Sequence, residues 1–151
     1  MGKMLVFDMD GTIADLYGVP DWEAKLRAED ASPYAEAEPL WDMMALRDLL
    51  LRFIDRGWEI RVVSWLAMDA SPEYNTAVRK AKRDWLERYR FPAEKVHLVA
   101  YGTTKADAVR KSATSAILID DNAKIRDGWH LGETINPLDG YLLERLALLL
   151  D

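Results

Sequence analysis

Two aspartates, Asp8 and Asp10, follow a short apolar run at residues 4–7. Alternate residues of an extended chain point the same way, so both carboxylates would enter one small volume. Two carboxylates placed in this way must hold a cation, carry a raised pKa, or do both. The apolar run predicts a buried strand, and ligands of parallel α/β sheets bind outside the carboxyl ends of the strands. The pair therefore predicts a functional site at the end of the first strand.

Three further groups that can bind a cation or an anion follow predicted strands. Ser64 ends the second strand, Lys105 comes soon after the third, and Asp120 and Asp121 directly follow the fourth. Each group alone has an ordinary explanation, since serines cap turns, lysines are usually solvated and aspartates often begin loops. Because parallel strands end on one edge of their sheet, we expect these side chains to meet the first aspartate pair. Converging carboxylates repel one another, so the arrangement predicts a bound Mg²⁺.

Apolar strands that alternate with amphipathic helices would position these groups. The predicted strands are residues 4–7, 58–64, 95–99, 116–119 and 133–136. The predicted helices are residues 40–56, a long helix from Ser71 and Pro72 to about residue 90, a short helix through residue 109, and residues 139–150. This alternation predicts an α/β fold with a parallel sheet, helices on both faces and right-handed crossovers.

Residues 17–39 separate the first strand from the first long helix. They are acidic, contain prolines, and include residues 22–29 as a candidate short helix. We expect a small inserted lid here. A lid this short can shade a site but is short for enclosing a large substrate.

Length and composition limit the class of protein. The 151 residues fit a single domain over residues 1–151, with half of the residues apolar. The absence of cysteine excludes disulfides and thiolate chemistry and permits a reducing compartment. Asp8 interrupts the first apolar run too early for a signal peptide or a membrane span, so a soluble, cytoplasmic protein is expected. The formal net charge of -6 disfavours binding of duplex nucleic acid but allows a small phosphate.

The chemistry-bearing residues resemble, in order, the four motifs of the haloacid dehalogenase superfamily of phosphohydrolases. The matching segments are Asp8-Met9-Asp10-Gly11-Thr12, Ser64, Lys105 and Asp120-Asp121. The resemblance extends from Met4 to about Trp129. It implies a three-layer Rossmann-like fold and a Mg²⁺-dependent phosphatase that hydrolyses phosphate monoesters.

The resemblance also implies a role for each matched residue. Asp8 would be the nucleophile that forms an aspartyl-phosphate intermediate. Asp10 would protonate the leaving oxygen and then activate water, which requires a pKa above the ordinary value for an aspartate. Ser64 and Lys105 would bind the phosphoryl group.

The implied Mg²⁺ ligands come from the same aspartates. They are the Asp8 carboxylate, the Asp10 main-chain carbonyl and the Asp120 carboxylate. Asp121 would orient the site through water.

Within the superfamily, the second half of the chain is similar to the 5'(3')-deoxyribonucleotidases. The similar segments are Lys82-Arg83-Asp84-Trp85-Leu86, Thr103-Thr104-Lys105 and Leu118-Ile119-Asp120-Asp121-Asn122. Polynucleotide 3'-phosphatase domains have a similar helix and a similar double aspartate. The nucleotidases carry a helical cap of several elements, for which this chain has only residues 17–39.

The sequence leaves three alternative hypotheses for the function of the protein. The leading hypothesis is a phosphatase of a nucleotide or similar small phosphate, and the second is a polynucleotide 3'-phosphatase. The third, of another class, is a non-catalytic binding or scaffold protein on the same fold. Trp65, directly after Ser64, fits either a role in substrate binding by stacking on a base or a role in packing under the loop.

Overall fold

The structure, a computed structural model, describes residues 2–109 and 115–151. Its strands are β1 (Lys3–Phe7), β2 (Ala14–Asp15), β3 (Glu38–Pro39), β4 (Glu59–Trp65), β5 (Lys95–Val99), β6 (Ser115–Ile119) and β7 (Thr134–Ile135). Its α-helices are α1 (Trp22–Arg27), α2 (Ser32–Glu36), α3 (Met43–Asp55), α4 (Pro72–Arg88), α5 (Lys105–Val109), α6 (Ala123–Asp127) and α7 (Leu142–Leu148). A 3₁₀ turn, Leu16–Gly18, follows β2. Within these described ranges, no helix is long and apolar enough to cross a membrane.

The main sheet has five parallel strands in the order β5-β4-β1-β6-β7. The central strand, β1, pairs with β4 through Leu5 and Ile60 and with β6 through Leu5 and Ile117. All five predicted strands are therefore present, each within one or two residues of its predicted bounds. This order places the carboxyl ends of β4, β1 and β6 side by side.

Alternate residues of β1 supply two separate cores. Leu5 and Phe7 face a cluster that includes the apolar sides of α3 and α7, together with Trp85 of α4. Met4 and Val6 face a second cluster with residues of α5 and α6. Helices therefore cover both faces of the sheet, and the three-layer α/β fold expected from the sequence is confirmed.

Capping residues explain where the long helices begin and end. Helix α3 begins at Met43 rather than residue 40, because the Asp42 carboxylate accepts hydrogen bonds from the first free amides of the helix. It ends before Gly57, which has the left-handed φ of +88° that glycine adopts without strain. Helix α4 begins at Pro72 as predicted, with Ser71 as its N-cap, and ends at Arg88. Helix α7 begins at Leu142, three residues later than expected.

The lid lies between the antiparallel strands β2 and β3. It contains α1, which the sequence predicts, and α2, which it does not. Helix α2 packs on α4, where Trp85 Nε1 donates to the Ala37 carbonyl (2.8 Å) and an Arg88 nitrogen donates to the Ala35 carbonyl (3.1 Å). Helix α4 therefore anchors the second half of the lid.

Candidate functional site

An ion pair joins the ends of the two central strands. Lys105, the first residue of α5, donates from Nζ to Asp8 Oδ1 and to Asp120 Oδ2, each at 2.8 Å. All three side chains are buried or nearly so. The adjacency of β1 and β6 brings the two carboxylates together, and the first residue of α5 places the Lys105 ammonium between them.

The charged groups in this cluster shift one another's pKa values. Burial alone would lower the pKa of Lys105, but the neighbouring Asp8 and Asp120 carboxylates raise it above its usual value. Burial and the Asp8 charge raise the pKa of Asp120, and Lys105 opposes that shift. Lys105 is therefore a fixed positive charge at the end of β1.

Thr12 links the first aspartate to the double aspartate after β6. Its hydroxyl lies 3.0 Å from Asp8 Oδ2 and 3.3 Å from Asp121 Oδ1, and its oxygen accepts from the Asp121 amide at 3.2 Å. Burial and the Asp8 charge raise the pKa of Asp121 to about 7. The sequence places Thr12 in the first motif without giving it a task, and the structure makes it a bridge between two acids.

Three carboxylates are close enough to share a cation. One oxygen each from Asp8, Asp120 and Asp121 lies within 4.8 Å of the others. Lys105 supplies a single positive charge to this group, so a divalent ion bound by oxygen atoms suits both the donor set and the charge. The residues present therefore fit Mg²⁺. The Asp10 carboxylate lies outside this group. The family resemblance implied only the main-chain carbonyl of Asp10 as a ligand.

Asp10 has a different partner from Asp8. Lys82 of α4, whose side chain has no exposed surface, donates from Nζ to Asp10 Oδ2 (2.9 Å), to Ser64 Oγ (2.7 Å) and to the Trp65 carbonyl (2.8 Å). Its ammonium also lies 4.9 Å from the centre of the Tyr34 ring in the lid. Burial raises the pKa of Asp10, and the charge and hydrogen bond of Lys82 oppose that shift.

Lys82 is a residue of this site that sequence reasoning missed. The similarity to the nucleotidases included it without giving it a role. A signal was present, because Lys82 falls between Val78 and Trp85 at helical spacings of four and three residues. That places a lysine on the apolar stripe of α4, where a charged group needs a buried partner.

Gly11 allows the loop after β1 to pass close to two side chains. Its φ is +81°, and a Cβ there would lie 2.4 Å from Asp121 Oδ2 and 2.8 Å from Tyr17 Cε2. Tyr17 packs edge to face on Trp22 at 5.0 Å. Burial and the charges of the nearby aspartates, Asp10 first among them, raise the pKa of Tyr17. The lid therefore touches the site at the residue that follows Asp10.

A cavity of about 430 Å³ opens between the lid and the strand ends. The side chains expected from the sequence that line it are Asp8, Asp10, Ser64, Trp65, Lys105, Asp120 and Asp121. The remaining wall includes four aromatic side chains, those of Tyr17, Trp22, Tyr34 and Tyr101. The structure thus brings together all of the site residues that the sequence predicts.

Trp65 has features of both roles considered for it. Its indole nitrogen donates to the Thr103 carbonyl at 2.8 Å, which holds the ring against the loop before α5. The ring also contacts Tyr101, with centroids 4.8 Å apart, and lines the cavity. It is a fixed part of the wall.

The fold has a counterpart among solved structures. The chain is similar to the D,D-heptose 1,7-bisphosphate phosphatase from Burkholderia thailandensis, with a TM-score of 0.58, 12% sequence identity and coverage of 99% of each chain. No protein-family model matches the chain, and no curated protein matches its sequence significantly. At this identity the likeness shows a shared fold. The class is therefore a three-layer α/β protein with a cavity at the carboxyl ends of its parallel strands.

Proposed function

We propose that the protein is a Mg²⁺-dependent phosphomonoester hydrolase of the haloacid dehalogenase superfamily. The observation that carries the proposal is the separation of the two aspartates after β1. Asp8 contacts Lys105 and Thr12, whereas Asp10 contacts Lys82. Two acids in one cavity but with different partners suit two different tasks.

The first task is nucleophilic attack. An Asp8 carboxylate oxygen attacks phosphorus, a new O–P bond forms, and the bond from phosphorus to the leaving oxygen breaks with its electron pair passing to that oxygen. Asp10 gives its proton to the leaving oxygen. A raised pKa suits this task, because a group must hold a proton before it can donate one.

The second task is hydrolysis of the aspartyl-phosphate. Asp10, now ionised, takes a proton from water as the water oxygen attacks phosphorus. The bond from phosphorus to the Asp8 oxygen breaks, which releases inorganic phosphate and restores Asp8. Asp10 is then protonated again and ready for another turnover.

Positive groups must offset the charge of the phosphate before a carboxylate can approach it. Lys105, between Asp8 and Asp120, and the Ser64 hydroxyl would bind phosphoryl oxygens. Asp8, the Asp10 carbonyl, Asp120 and Asp121 would hold Mg²⁺, directly or through water. When bound, that ion would supply further neutralisation of the phosphate charge.

For the substrate we propose a nucleotide or a similar small phosphate. The aromatic wall, with Trp22 and Tyr101 among its members, supports a planar base, because aromatic side chains stack on bases with about 1–3 kcal/mol each. A phosphorylated polynucleotide 3' end is the second candidate, favoured by the short lid and disfavoured by the net charge of -6. A sugar bisphosphate, the substrate in the name of the structural neighbour, is a third member of the test panel.

A substrate screen tests this proposal. The purified protein is assayed with p-nitrophenyl phosphate, nucleoside monophosphates, a 3'-phosphorylated oligonucleotide and a sugar bisphosphate, each with and without Mg²⁺. We expect turnover that requires Mg²⁺, is greatest on mononucleotides, and is abolished by Asp8→Asn. The exposed Asp48 of α3 gives the control variant Asp48→Asn, which should retain activity.

Other outcomes of the screen have definite meanings. Greater activity on the oligonucleotide would favour the polynucleotide 3'-phosphatase. A folded protein with no turnover on any phosphate would contradict the enzyme proposal and favour the binding or scaffold protein.

A further inference from the structure

The lid supplies a polar group to the site that the proposed reaction does not yet use. This group is the hydroxyl of Tyr17. Its ring lies against Gly11, directly after Asp10, and packs on Trp22. The residue lines the cavity, and about half of its surface is exposed. Within residues 2–109 and 115–151, none accepts a hydrogen bond from this hydroxyl.

The surroundings of Tyr17 are rich in hydrogen-bond acceptors. Of the acids whose charges act on Tyr17, Asp10 and Asp121 act most strongly, and each has a donor of its own, Lys82 for Asp10 and Thr12 for Asp121. The phenol is therefore a donor in a carboxylate-lined cavity whose proton is not committed to the protein. It is free to donate to solvent or to a ligand bound in the cavity.

The position of the ring selects which part of a ligand it can reach. Lys105 and Ser64 lie on the sheet side of the cavity, where they would hold the phosphoryl oxygens. Tyr17 lies on the lid side, next to the loop that carries Asp10. The oxygen that Asp10 protonates must lie within hydrogen-bond distance of Asp10, and the Tyr17 ring packs against Gly11, the next residue of that loop.

We propose that the Tyr17 hydroxyl donates a hydrogen bond to the leaving-group oxygen as its bond to phosphorus breaks. This inference rests on the proposed phosphatase function and adds a substrate-binding residue from the lid. The hydrogen bond stabilises negative charge that develops on the leaving oxygen alongside the proton from Asp10. The lid then contributes to catalysis as well as shading the cavity.

The variant Tyr17→Phe removes only the hydroxyl and keeps the ring contacts with Gly11 and Trp22. It is compared with Tyr101→Phe, because Tyr101 lines the same cavity and has nearly the same exposure, 53% against 52% for Tyr17. Each is assayed for kcat/KM on p-nitrophenyl phosphate, whose leaving group is stable as an anion, and on an alkyl phosphate, whose leaving group is not. Melting temperatures are measured alongside.

We expect Tyr17→Phe to lower kcat/KM on the alkyl phosphate by about tenfold or more, with a clearly smaller loss on p-nitrophenyl phosphate. Tyr101→Phe should show no dependence on the leaving group.

An equal loss on both substrates would place the hydroxyl on a phosphoryl oxygen and overturn the proposal, and so would no loss on either. If the wild-type protein turns over neither ester nor any other phosphate, the proposed function itself fails. An active wild type with an unaffected Tyr17→Phe overturns only the role of Tyr17.

Discussion

Lys82 Nζ lies 2.9 Å from Asp10 Oδ2, although 72 positions separate the two residues in the chain. The same ammonium holds Ser64 Oγ and the Trp65 carbonyl. One buried lysine therefore fixes the proposed proton carrier relative to the end of β4.

Removing the Lys82 charge should shift the pH dependence of activity and lower the stability of the folded protein. In Lys82→Met, Asp10 loses a group that lowers its pKa, so that pKa rises further. Because Asp10 must be protonated for the first step, the fall of kcat/KM at high pH should move to higher pH. Loss of one partner from a buried ion pair should also cost on the order of 3 kcal/mol of stability.

Lys80 provides the control for this experiment. It lies on the same helix, is 77% exposed and pairs with Asp84 at the surface. Lys80→Met should leave the pH profile and the melting temperature nearly unchanged. A Lys82→Met profile that superimposes on that of the wild type would contradict the assignment of Asp10 as the proton carrier.

Without Mg²⁺, the protein should become less stable as pH rises from about 4 to about 7. The pKa of Asp121 is raised from 3.8 to about 7 in the folded state. A raised pKa means that the folded state binds the proton more tightly than the unfolded chain, so the stabilisation is complete at low pH and is lost on deprotonation. Urea unfolding in EDTA at several pH values measures the trend.

Asp121→Asn should reduce the pH dependence of the free energy of unfolding, because the amide does not titrate. Saturating Mg²⁺ should also flatten it, since the cation favours the ionised carboxylates. A stability in EDTA that rises over this pH range would contradict the raised pKa of Asp121.

Mg²⁺ with a phosphate mimic should stabilise the folded protein. Beryllofluoride plus Mg²⁺ would raise the melting temperature in proportion to occupancy of the site, because only the folded state binds them. Asp120→Asn removes one of the three clustered carboxylates and should abolish most of the shift. Asp127→Asn, at an exposed position on α6, should retain it. Equal shifts in both variants would place the ion elsewhere.

Gly11→Ala should lower activity through crowding of the site, beyond the effect of backbone strain. Its Cβ would lie 2.4 Å from Asp121 Oδ2 and 2.8 Å from the Tyr17 ring. Gly102→Ala is a matched control, since Gly102 has a similar φ of +89° but a Cβ there would meet nothing within 4 Å. Both variants should lose about 1–2 kcal/mol of stability from strain.

Only Gly11→Ala should also lose activity, by about tenfold or more, because it displaces side chains at the site. Activity and thermal unfolding of both variants measure the difference. Similar activities for the two variants would show that the close approach at Gly11 has no functional effect.

The sheet and much of the candidate site could be predicted from local patterns. Apolar runs that end in polar residues predicted the bounds of β1, β4 and β6. Because parallel strands end at the same edge of a sheet, their carboxyl ends were expected to lie together. Short elements were missed, namely β2, β3, α2 and α6. Five-residue helices such as α6 span too few turns to produce a periodic pattern, and Asn122, which caps it, is also typical of a turn.

The sequence by itself determined which acids, serine and lysine lie at the strand ends, because the burial of a strand and the alternation of its side chains can be read from a few consecutive residues. Only the tertiary structure decided how those groups are partnered. Lys82 is placed by the packing of α4, which brings it to Asp10 across 72 positions of chain. Tyr17 is placed by the lid, which sets its ring against Gly11, six positions earlier. Periodicity shows that a residue is buried, but it cannot name the partner, which depends on how separate elements pack together.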